Sequence, residues 1–187
     1  FRYDSQEDFA KNVVGEIGNV KSGRVSLENY ESTTMKLEDF RIVCDEYENF
    51  LRRCGKIDFD DMLVFTYELL SERPDILKMW QNKFRYILID EFQDINMIQY
   101  DIVKLLAGER QNVFSVGDDD QSVYGFRGAA PAIMKKFPED FHGTVIEYLN
   151  VNYRCSYDIV ECSKRIIQNN RDRYEKQLRS AFAAGQS

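Results

Sequence analysis

Histidine, proline and paired cysteines are scarce in this 187-residue sequence, which has one histidine, three prolines and four cysteines. The cysteines form no Cys-x-x-Cys pair, and the single histidine leaves no second imidazole at ligand spacing. These residues are Cys44, Cys54, Cys155, Cys162 and His142. The sequence therefore argues against a zinc site, and we expect free thiols in a reducing cytoplasm.

Long apolar runs are also missing. No run approaches the roughly 20 residues that a membrane-spanning helix needs, and the first residues lack the basic, apolar and small-residue pattern of a signal peptide. We therefore expect a cytoplasmic protein without membrane contact. Because the sequence begins with Phe1 rather than Met, we interpret it as a segment of a longer protein.

The sequence also lacks an excess of basic residues. It has 25 Lys and Arg and 32 Asp and Glu, which give a formal net charge of −7. This balance argues against broad non-specific attraction to nucleic acid. It leaves open a local groove in which aromatic stacking holds a single strand. With 43% hydrophobic and 30% charged residues, the composition is that of a globular protein.

The first half of the chain has helical periodicity. An apolar stripe predicts a helix over residues 1 to about 20 that ends near Gly18. Its members are Phe9, Val13, Val14 and Ile17. A second stripe repeats at steps of three and four and ends at Gly55. Its members are Leu37, Phe40, Cys44, Tyr47, Leu51 and Cys54.

Three acids, Asp58, Asp60 and Asp61, follow the second predicted helix. Because they directly precede an apolar run, we interpret them as the capped start of a third helix. A metal site is the less favoured alternative, since no other clustered ligand stands nearby in the sequence. Pro74 then suits the first position of a fourth helix.

The pattern changes at Tyr86 to short apolar runs separated by helices, which predicts an α/β fold. The predicted strands are 86–89, 112–116 and 144–149, and we expect them to lie side by side, parallel and buried. This change at Tyr86 is the predicted boundary between a helical subdomain and an α/β part, and residues 171–187 are predicted to be a polar tail or linker.

Polar side chains follow each predicted strand, and parallel strands bring such residues to one edge of a sheet, where ligands bind. Taken alone, an Asp-Glu pair is more often a solvated strand end before a capped helix. Together, the set offers metal ligands, a water activator, an amide and two arginines, which are the parts of a nucleoside triphosphatase. The set is Asp90, Glu91, Asp118, Gln121, Arg127, Tyr153 and Arg154.

Four segments resemble those of the UvrD/Rep-type superfamily 1 DNA helicases. Residues 90–94, Asp-Glu-Phe-Gln-Asp, are similar to motif II, the Walker B element, and residues 116–129 are similar to motif III. Residues 152–154 resemble motif IV, and residues 58–63 resemble the segment that leads from the helical 1B insertion into motor domain 1A. The resemblance implies a partial RecA-like parallel sheet of the P-loop NTPase type at 58–170, with part of 1B at 1–57.

The resemblance further implies an ATP-dependent 3′-to-5′ helicase that uses ATP and Mg²⁺. Asp90 and Glu91 would hold Mg²⁺, and Glu91 would also be the catalytic base. Gln121 would sense the γ-phosphate. Tyr153 would stack on adenine, and Arg154 would reach the γ-phosphate.

Residues of motif III are implied to contact single-stranded DNA. Tyr124 and Phe126 would lie along the strand, with Phe126 as a platform for a base, and Arg127 would couple this path to the nucleotide. Stacking of this kind contributes about 1–3 kcal/mol per base. Without the flanking motif, packing of Phe126 in the core would be the favoured interpretation.

A Gly-x-x-x-x-Gly-Lys-Ser/Thr phosphate loop is missing, since Gly55-Lys56 is followed by Ile57 and lacks the earlier glycine. We therefore expect the isolated chain to be inactive. Its expected partners are ATP, single-stranded DNA and the remaining helicase domains, which are the Walker A part of 1A, 2A and 2B. The alternative is a non-enzymatic protein- or DNA-interaction module on a degenerate motor fold, which the acidic charge favours.

Overall fold

The computed structural model describes residues 5–23, 25–28, 30–122, 132–170 and 173–185. The helices are α1 (Gln6–Gly23), α2 (Leu37–Cys54), α3 (Phe59–Glu72), α4 (Pro74–Lys83), α5 (Met97–Ala107), α6 (Ala132–Asp140) and α7 (Tyr157–Ile167). The strands are β1 (Ile87–Ile89), β2 (Val113–Ser115), β3 (Val151–Asn152) and β4 (Arg179–Ser180). Helices and strands alternate after α4, which confirms the α/β class. Within the described ranges, no helix is long and apolar enough to cross a membrane.

Helix α1 continues past its predicted end at Gly18 and reaches Gly23. Ser22 Oγ donates a hydrogen bond to the carbonyl of Gly18 at 2.5 Å. A Cβ added to Gly18 would lie 2.6 Å from Asp60 Oδ2 in α3. Gly18 therefore lies inside α1, where it closely approaches the Asp60 side chain of α3, and does not end the helix.

Helix α2 ends where the sequence predicts. Phe40 and Cys44 of its apolar stripe are buried with Val13 and Ile17 of α1 in one hydrophobic cluster. Gly55 ends the helix with a left-handed backbone, φ 61°, which glycine adopts without steric cost. All four cysteines are free thiols.

The acids after Gly55 cap helix α3. Asp58 Oδ1 accepts a hydrogen bond from the backbone N–H of Asp61 at 2.7 Å, and Asp61 Oδ2 accepts one from the N–H of Asp58 at 3.1 Å. This reciprocal pair is a capping box and confirms the capping interpretation. Pro74 begins α4, as predicted.

Three carboxylates surround Lys21, and we call Lys21, Glu48, Asp58 and Asp61 the Lys21 cluster. The Lys21 Nζ lies 2.8 Å from Asp58 Oδ2, 2.7 Å from Asp61 Oδ1 and 2.5 Å from Glu48 Oε1. Burial opposes the charge on Lys21, but its hydrogen bonds to these acids raise its pKa above the ordinary value. The cluster thereby ties α1 to α2 and to the start of α3.

Strands β1 and β2 pair in parallel, with Leu88 opposite Phe114. Ile87, Ile89 and Val113 pack against the main hydrophobic core. That core consists of Phe92, Tyr100, Ala107, Ile133, Phe137 and Phe141. On the other face, Leu88 is 74% exposed and Phe114 is 62% exposed. The prediction of strands buried on both faces is therefore wrong for the described residues, because none of them covers this second face.

The predicted third strand at 144–149 has no regular structure. Strand β3 forms just after it and pairs in parallel with β4 in a sheet of its own, so the prediction of three adjacent strands is wrong. Strand β4 lies within the segment predicted as a polar tail. The apolar pattern before residue 150 indicates an extended segment, but it does not indicate which strand pairs with it. The partner of β3 is β4, which lies almost 30 residues later in the chain.

Candidate active site at the end of the first two strands

The residues that leave β1 form a tight turn. Glu91 has a left-handed backbone, φ 50° and ψ 44°, and residues 92–94 make one 3₁₀ turn. Asp90 Oδ1 accepts a hydrogen bond from the N–H of Glu91 at 2.9 Å. The left-handed backbone costs about 1–2 kcal/mol for a residue with a Cβ, and such strain is concentrated at functional sites. The turn leaves Asp90 and Glu91 exposed.

Backbone hydrogen bonds join this turn to the end of β2. The N–H of Val116 donates to the carbonyl of Ile89 at 2.8 Å, and the N–H of Phe92 donates to the carbonyl of Val116 at 2.9 Å. The parallel pairing therefore continues beyond both strands. It brings residues 90–93 alongside residues 116–118, as the sequence predicts for these two motifs.

The side chain of Gln93 lies between the two motifs and is only 2% exposed. Its Nε2 donates to Glu91 Oε2 at 2.8 Å. Its Oε1 accepts from the N–H of Asp118 at 2.9 Å. The amide thus links the exposed carboxylate of one motif to the backbone of the other. Gln93 is absent from the set of site residues predicted from the sequence, although it lies inside motif II.

Gly117 allows this close contact. A Cβ at position 117 would lie 2.9 Å from Gln93 Oε1, 3.1 Å from the Phe92 Cβ and 3.2 Å from the Gln93 backbone nitrogen. Two of these neighbours are fixed to the backbone and cannot turn away. Any side chain at position 117 would therefore push the two motifs apart.

The turn after β2 carries Gln121. Asp118 Oδ2 accepts a hydrogen bond from Gln121 Nε2 at 2.7 Å, and Asp118 Oδ1 accepts one from the N–H of Asp120 at 3.2 Å. Asp118 therefore both caps the 3₁₀ turn of residues 119–121 and holds the Gln121 amide. The Gln121 side chain remains exposed at the same edge of the sheet as Glu91.

Two cations from the segment before β4 bind the acids of this turn, and we call Asp118, Asp119, Asp120, Arg173 and Lys176 the Lys176 cluster. The Lys176 ammonium contacts all three carboxylates. Arg173 binds Asp120 through Nε at 2.7 Å and through Nη2 at 2.5 Å. The sequence offers a signal for this cluster, since basic residues recur between positions 171 and 179, but that segment was predicted to be a tail.

The charges of the Lys176 cluster are mutually stabilised. Hydrogen bonds from Arg173 lower the pKa of Asp120, against the effect of burial. Burial favours neutral Asp118, but hydrogen bonds from Lys176 and Gln121 bring its pKa below the ordinary value. Oxygen atoms of the three acids lie within 4.8 Å of one another, a spacing that suits a metal ion. Because an ammonium group already binds all three carboxylates, we interpret them as an ion-pair cluster.

Tyr153 and Arg154 follow β3 in the second sheet, and not a strand of the sheet that carries Glu91 and Gln121. Asn152 Oδ1 accepts hydrogen bonds from the N–H groups of Arg154 and Cys155, at 2.9 and 2.8 Å, and so shapes their turn. Tyr153 is 77% exposed. The remaining predicted residues, Tyr124, Phe126 and Arg127, lie outside the described residues.

The sequence is similar to a family model and to several curated proteins. The model of the UvrD/REP helicase N-terminal domain matches residues 3–142. YjcD of Bacillus subtilis is 46% identical over 137 residues, which are 73% of this chain and 18% of that protein. The ATP-dependent DNA helicase Rep of Escherichia coli is 42% identical over 139 residues, which are 74% of this chain and 21% of Rep.

A further relative is similar along nearly the whole chain. The ATP-dependent DNA helicase PcrA of Staphylococcus epidermidis is 35% identical over 187 residues, which are 97% of this chain and 25% of PcrA. The chain thus spans a quarter or less of the length of these three relatives.

Proposed function

Because the chain belongs to the UvrD/Rep helicase family, we propose that it carries the water-activating part of an ATP-dependent DNA helicase that moves 3′ to 5′ on single-stranded DNA. One observation carries the proposal: Glu91 and Gln121 occupy adjoining turns at the carboxyl end of a parallel strand pair, joined through Gln93 and Asp118. Ligands of open α/β sheets bind at this edge. A carboxylate and an amide there supply a proton acceptor and a phosphate contact.

In the proposed reaction, Glu91 accepts a proton from the attacking water. The water oxygen bonds to the γ-phosphorus of ATP, and the bond from that phosphorus to the bridging oxygen breaks. Gln121 contacts the γ-phosphate. Asp90 and Glu91 present exposed carboxylate oxygens, which fit Mg²⁺ because this ion prefers one or two carboxylates together with substrate phosphates. When bound, the ion would neutralise phosphate charge.

The other residue roles in the proposal rest on the sequence resemblance. Tyr153 stacks on adenine, and Arg154 reaches the γ-phosphate. Tyr124 and Phe126 contact single-stranded DNA, and Arg127 couples that contact to the nucleotide. The high exposure of Tyr153 supports its part, since a ring that stacks on a ligand must be accessible.

The proposed division of the chain places part of the 1B insertion at 1–57 and part of a RecA-like motor domain 1A at 58–170. The presence of two separate hydrophobic clusters supports this division. One cluster joins α1 to α2, and the other packs under β1 and β2. Helix α3 begins between them with the capped segment at 58–61.

The proposal is tested by replacing Glu91 in the complete protein. We expect Glu91→Gln to abolish DNA-stimulated ATP hydrolysis while leaving ATP binding largely intact, because the amide keeps the shape of the side chain but accepts no proton. Phosphate release and binding of a fluorescent nucleotide measure the two effects. Glu109→Gln is the matched control, since Glu109 is an exposed acid in the 3₁₀ turn that follows the C-terminal end of α5, whereas the site precedes the N-terminal end of that helix. Persistent turnover in Glu91→Gln would overturn the proposed role.

A second experiment concerns the chain by itself. We propose that it does not hydrolyse ATP, because it has no phosphate loop to hold the β- and γ-phosphates. Phosphate release is compared between the chain and the complete protein, with and without single-stranded DNA. Hydrolysis by the chain at the rate of the complete protein would contradict this. Absence of hydrolysis by both would favour the interaction module, which the net charge of −7 supports.

A further inference from the structure

The buried amide of Gln93 has only one orientation that satisfies both of its neighbours. The backbone N–H of Asp118 is a donor, so the carbonyl oxygen of the amide must face it, at 2.9 Å. The amino group of Gln93 then faces Glu91 Oε2, at 2.8 Å. A buried amide is costly unless both ends are bonded, and here both ends are bonded. The hydrogen-bond pattern therefore fixes both the rotamer and the direction of the amide.

Glu91 gains a fixed carboxylate from this contact. Its side chain is exposed, and an exposed glutamate ordinarily samples several rotamers. The hydrogen bond from Gln93 to one carboxylate oxygen selects one of them.

The hydrogen bonds continue from Gln93 to Gln121. Asp118 donates its N–H to Gln93, and its carboxylate accepts from Gln121 Nε2 at 2.7 Å. Gly117 keeps this path short, because a side chain there would meet Gln93 Oε1 at 2.9 Å. Gln121, Asp118, Gln93 and Glu91 are thus joined by a continuous series of hydrogen bonds.

We propose that Gln93 is a positioning residue, which fixes the orientation of the Glu91 carboxylate relative to the turn of residues 118–121. This inference rests on the proposed function, in which Glu91 receives the proton of the attacking water. Gln93 itself touches neither water nor nucleotide. Its role is to make the orientation of Glu91 depend on the position of Gln121.

The test uses Gln93→Met in the complete protein, which keeps the length of the side chain and removes both hydrogen bonds. We expect kcat for DNA-stimulated hydrolysis to fall about 10- to 100-fold, with KM for ATP changed less than about 3-fold, since misplacement of a catalytic group by about 1 Å has effects of this size. Gln99→Met is the matched control. Gln99 also has a bonded amide, in the capping box of α5, but this amide has no contact with Glu91.

A second variant, Gln93→Glu, separates positioning from simple packing. It keeps the shape of the side chain and an oxygen for the N–H of Asp118, but it replaces the amino group that donates to Glu91. We expect kcat to fall at least about 10-fold, with KM for ATP changed less than about 3-fold, because the contact with Glu91 is lost while the packing volume is kept.

The outcomes separate this inference from the proposed function. If Glu91→Gln abolishes turnover but Gln93→Met retains the kcat of the unmodified protein, the positioning role is wrong and the proposed function stands. If Glu91→Gln retains turnover, the proposed function itself fails. A kcat for Gln93→Glu equal to that of the unmodified protein, or equal kcat losses in Gln93→Met and Gln99→Met, would reduce Gln93 to a packing role and overturn the inference.

Discussion

Two lysines in this chain each lie among three carboxylates, yet the two clusters differ in what their acids do. In the Lys21 cluster, Asp58 and Asp61 also form the capping box of α3, so the cation completes a helix start. In the Lys176 cluster, Asp118 also holds the amide of Gln121. A lysine bound by three carboxylates therefore stabilises the contact between helices in the Lys21 cluster, and it stabilises the turn of residues 118–121 in the Lys176 cluster.

Redundancy, and not burial, separates the clusters further. Their side chains are similarly buried, at 7–30% exposed in the Lys21 cluster and 6–40% exposed in the Lys176 cluster. The Lys176 cluster has a second cation, Arg173, whereas among the described residues Lys21 is the one cation bound to the acids of its cluster. We infer that the Lys21 cluster contributes more to stability, and that the Lys176 cluster contributes more to the geometry of the site.

The largest expected effect comes from Lys21→Met. Removal of the ammonium group leaves three acids facing one another in a partly buried space, so we expect the free energy of unfolding to fall by about 3 kcal/mol. Urea unfolding of the chain, followed through the fluorescence of its single tryptophan, measures this change. Lys78→Met, at an exposed position on α4, should have almost no effect. A loss below about 1 kcal/mol for Lys21→Met would remove the contrast between the clusters.

A smaller effect is expected for Lys176→Met. Arg173 still binds Asp120 in this variant and compensates part of the negative charge, so we expect a loss of about 1 kcal/mol. Added salt should reduce the difference from the unmodified chain, because the partly exposed Asp118 carboxylate is screened. The same urea measurement at about 0.1 M and about 1 M NaCl tests this, with Lys136→Met on α6 as the control. A loss equal to that of Lys21→Met would show that the clusters are equivalent.

The smallest expected effect is on pH dependence, through Asp120→Asn. The pKa of Asp120 in the folded chain lies below its ordinary value of 3.8, so the ionised form stabilises the fold above that value. This contribution is lost as the pH falls through the lowered pKa. Below about pH 4, the unmodified chain should therefore lose stability more steeply than Asp120→Asn. Unfolding free energies measured at several pH values give the two slopes, and Asp45→Asn, an exposed acid on α2, should keep the steeper one.

Local features of the fold were predictable from the sequence. The end of α2 at Gly55, the capping by Asp58 and the start of α4 at Pro74 each depend on residues within one helical turn. The adjacency of Glu91 and Gln121 was also predictable, since two successive apolar strands connected by a helix usually pair in parallel. These predictions needed only spacing and the chemistry of neighbouring residues.

Features that depend on distant partners were not predictable in the same way. Gly18 looked like a helix end because the sequence does not show Asp60 packed against it. Strand β3 was expected beside β2, but its partner is β4, in a segment whose polar composition suggested a tail. The contact of Lys176 with Asp118 spans 58 residues, and the basic residues between positions 171 and 179 do not indicate which acids they bind.

The left-handed backbone of Glu91 places two opposed demands on one residue. At φ 50°, glycine or asparagine would relax the chain, whereas the proposed reaction needs a carboxylate that only glutamate or aspartate supplies. A change to glycine would ease the backbone and remove the proton acceptor together. Selection for stability would therefore favour glycine at position 91, whereas selection for turnover would favour glutamate. A single substitution, Glu91→Gly, would give a more stable but inactive protein.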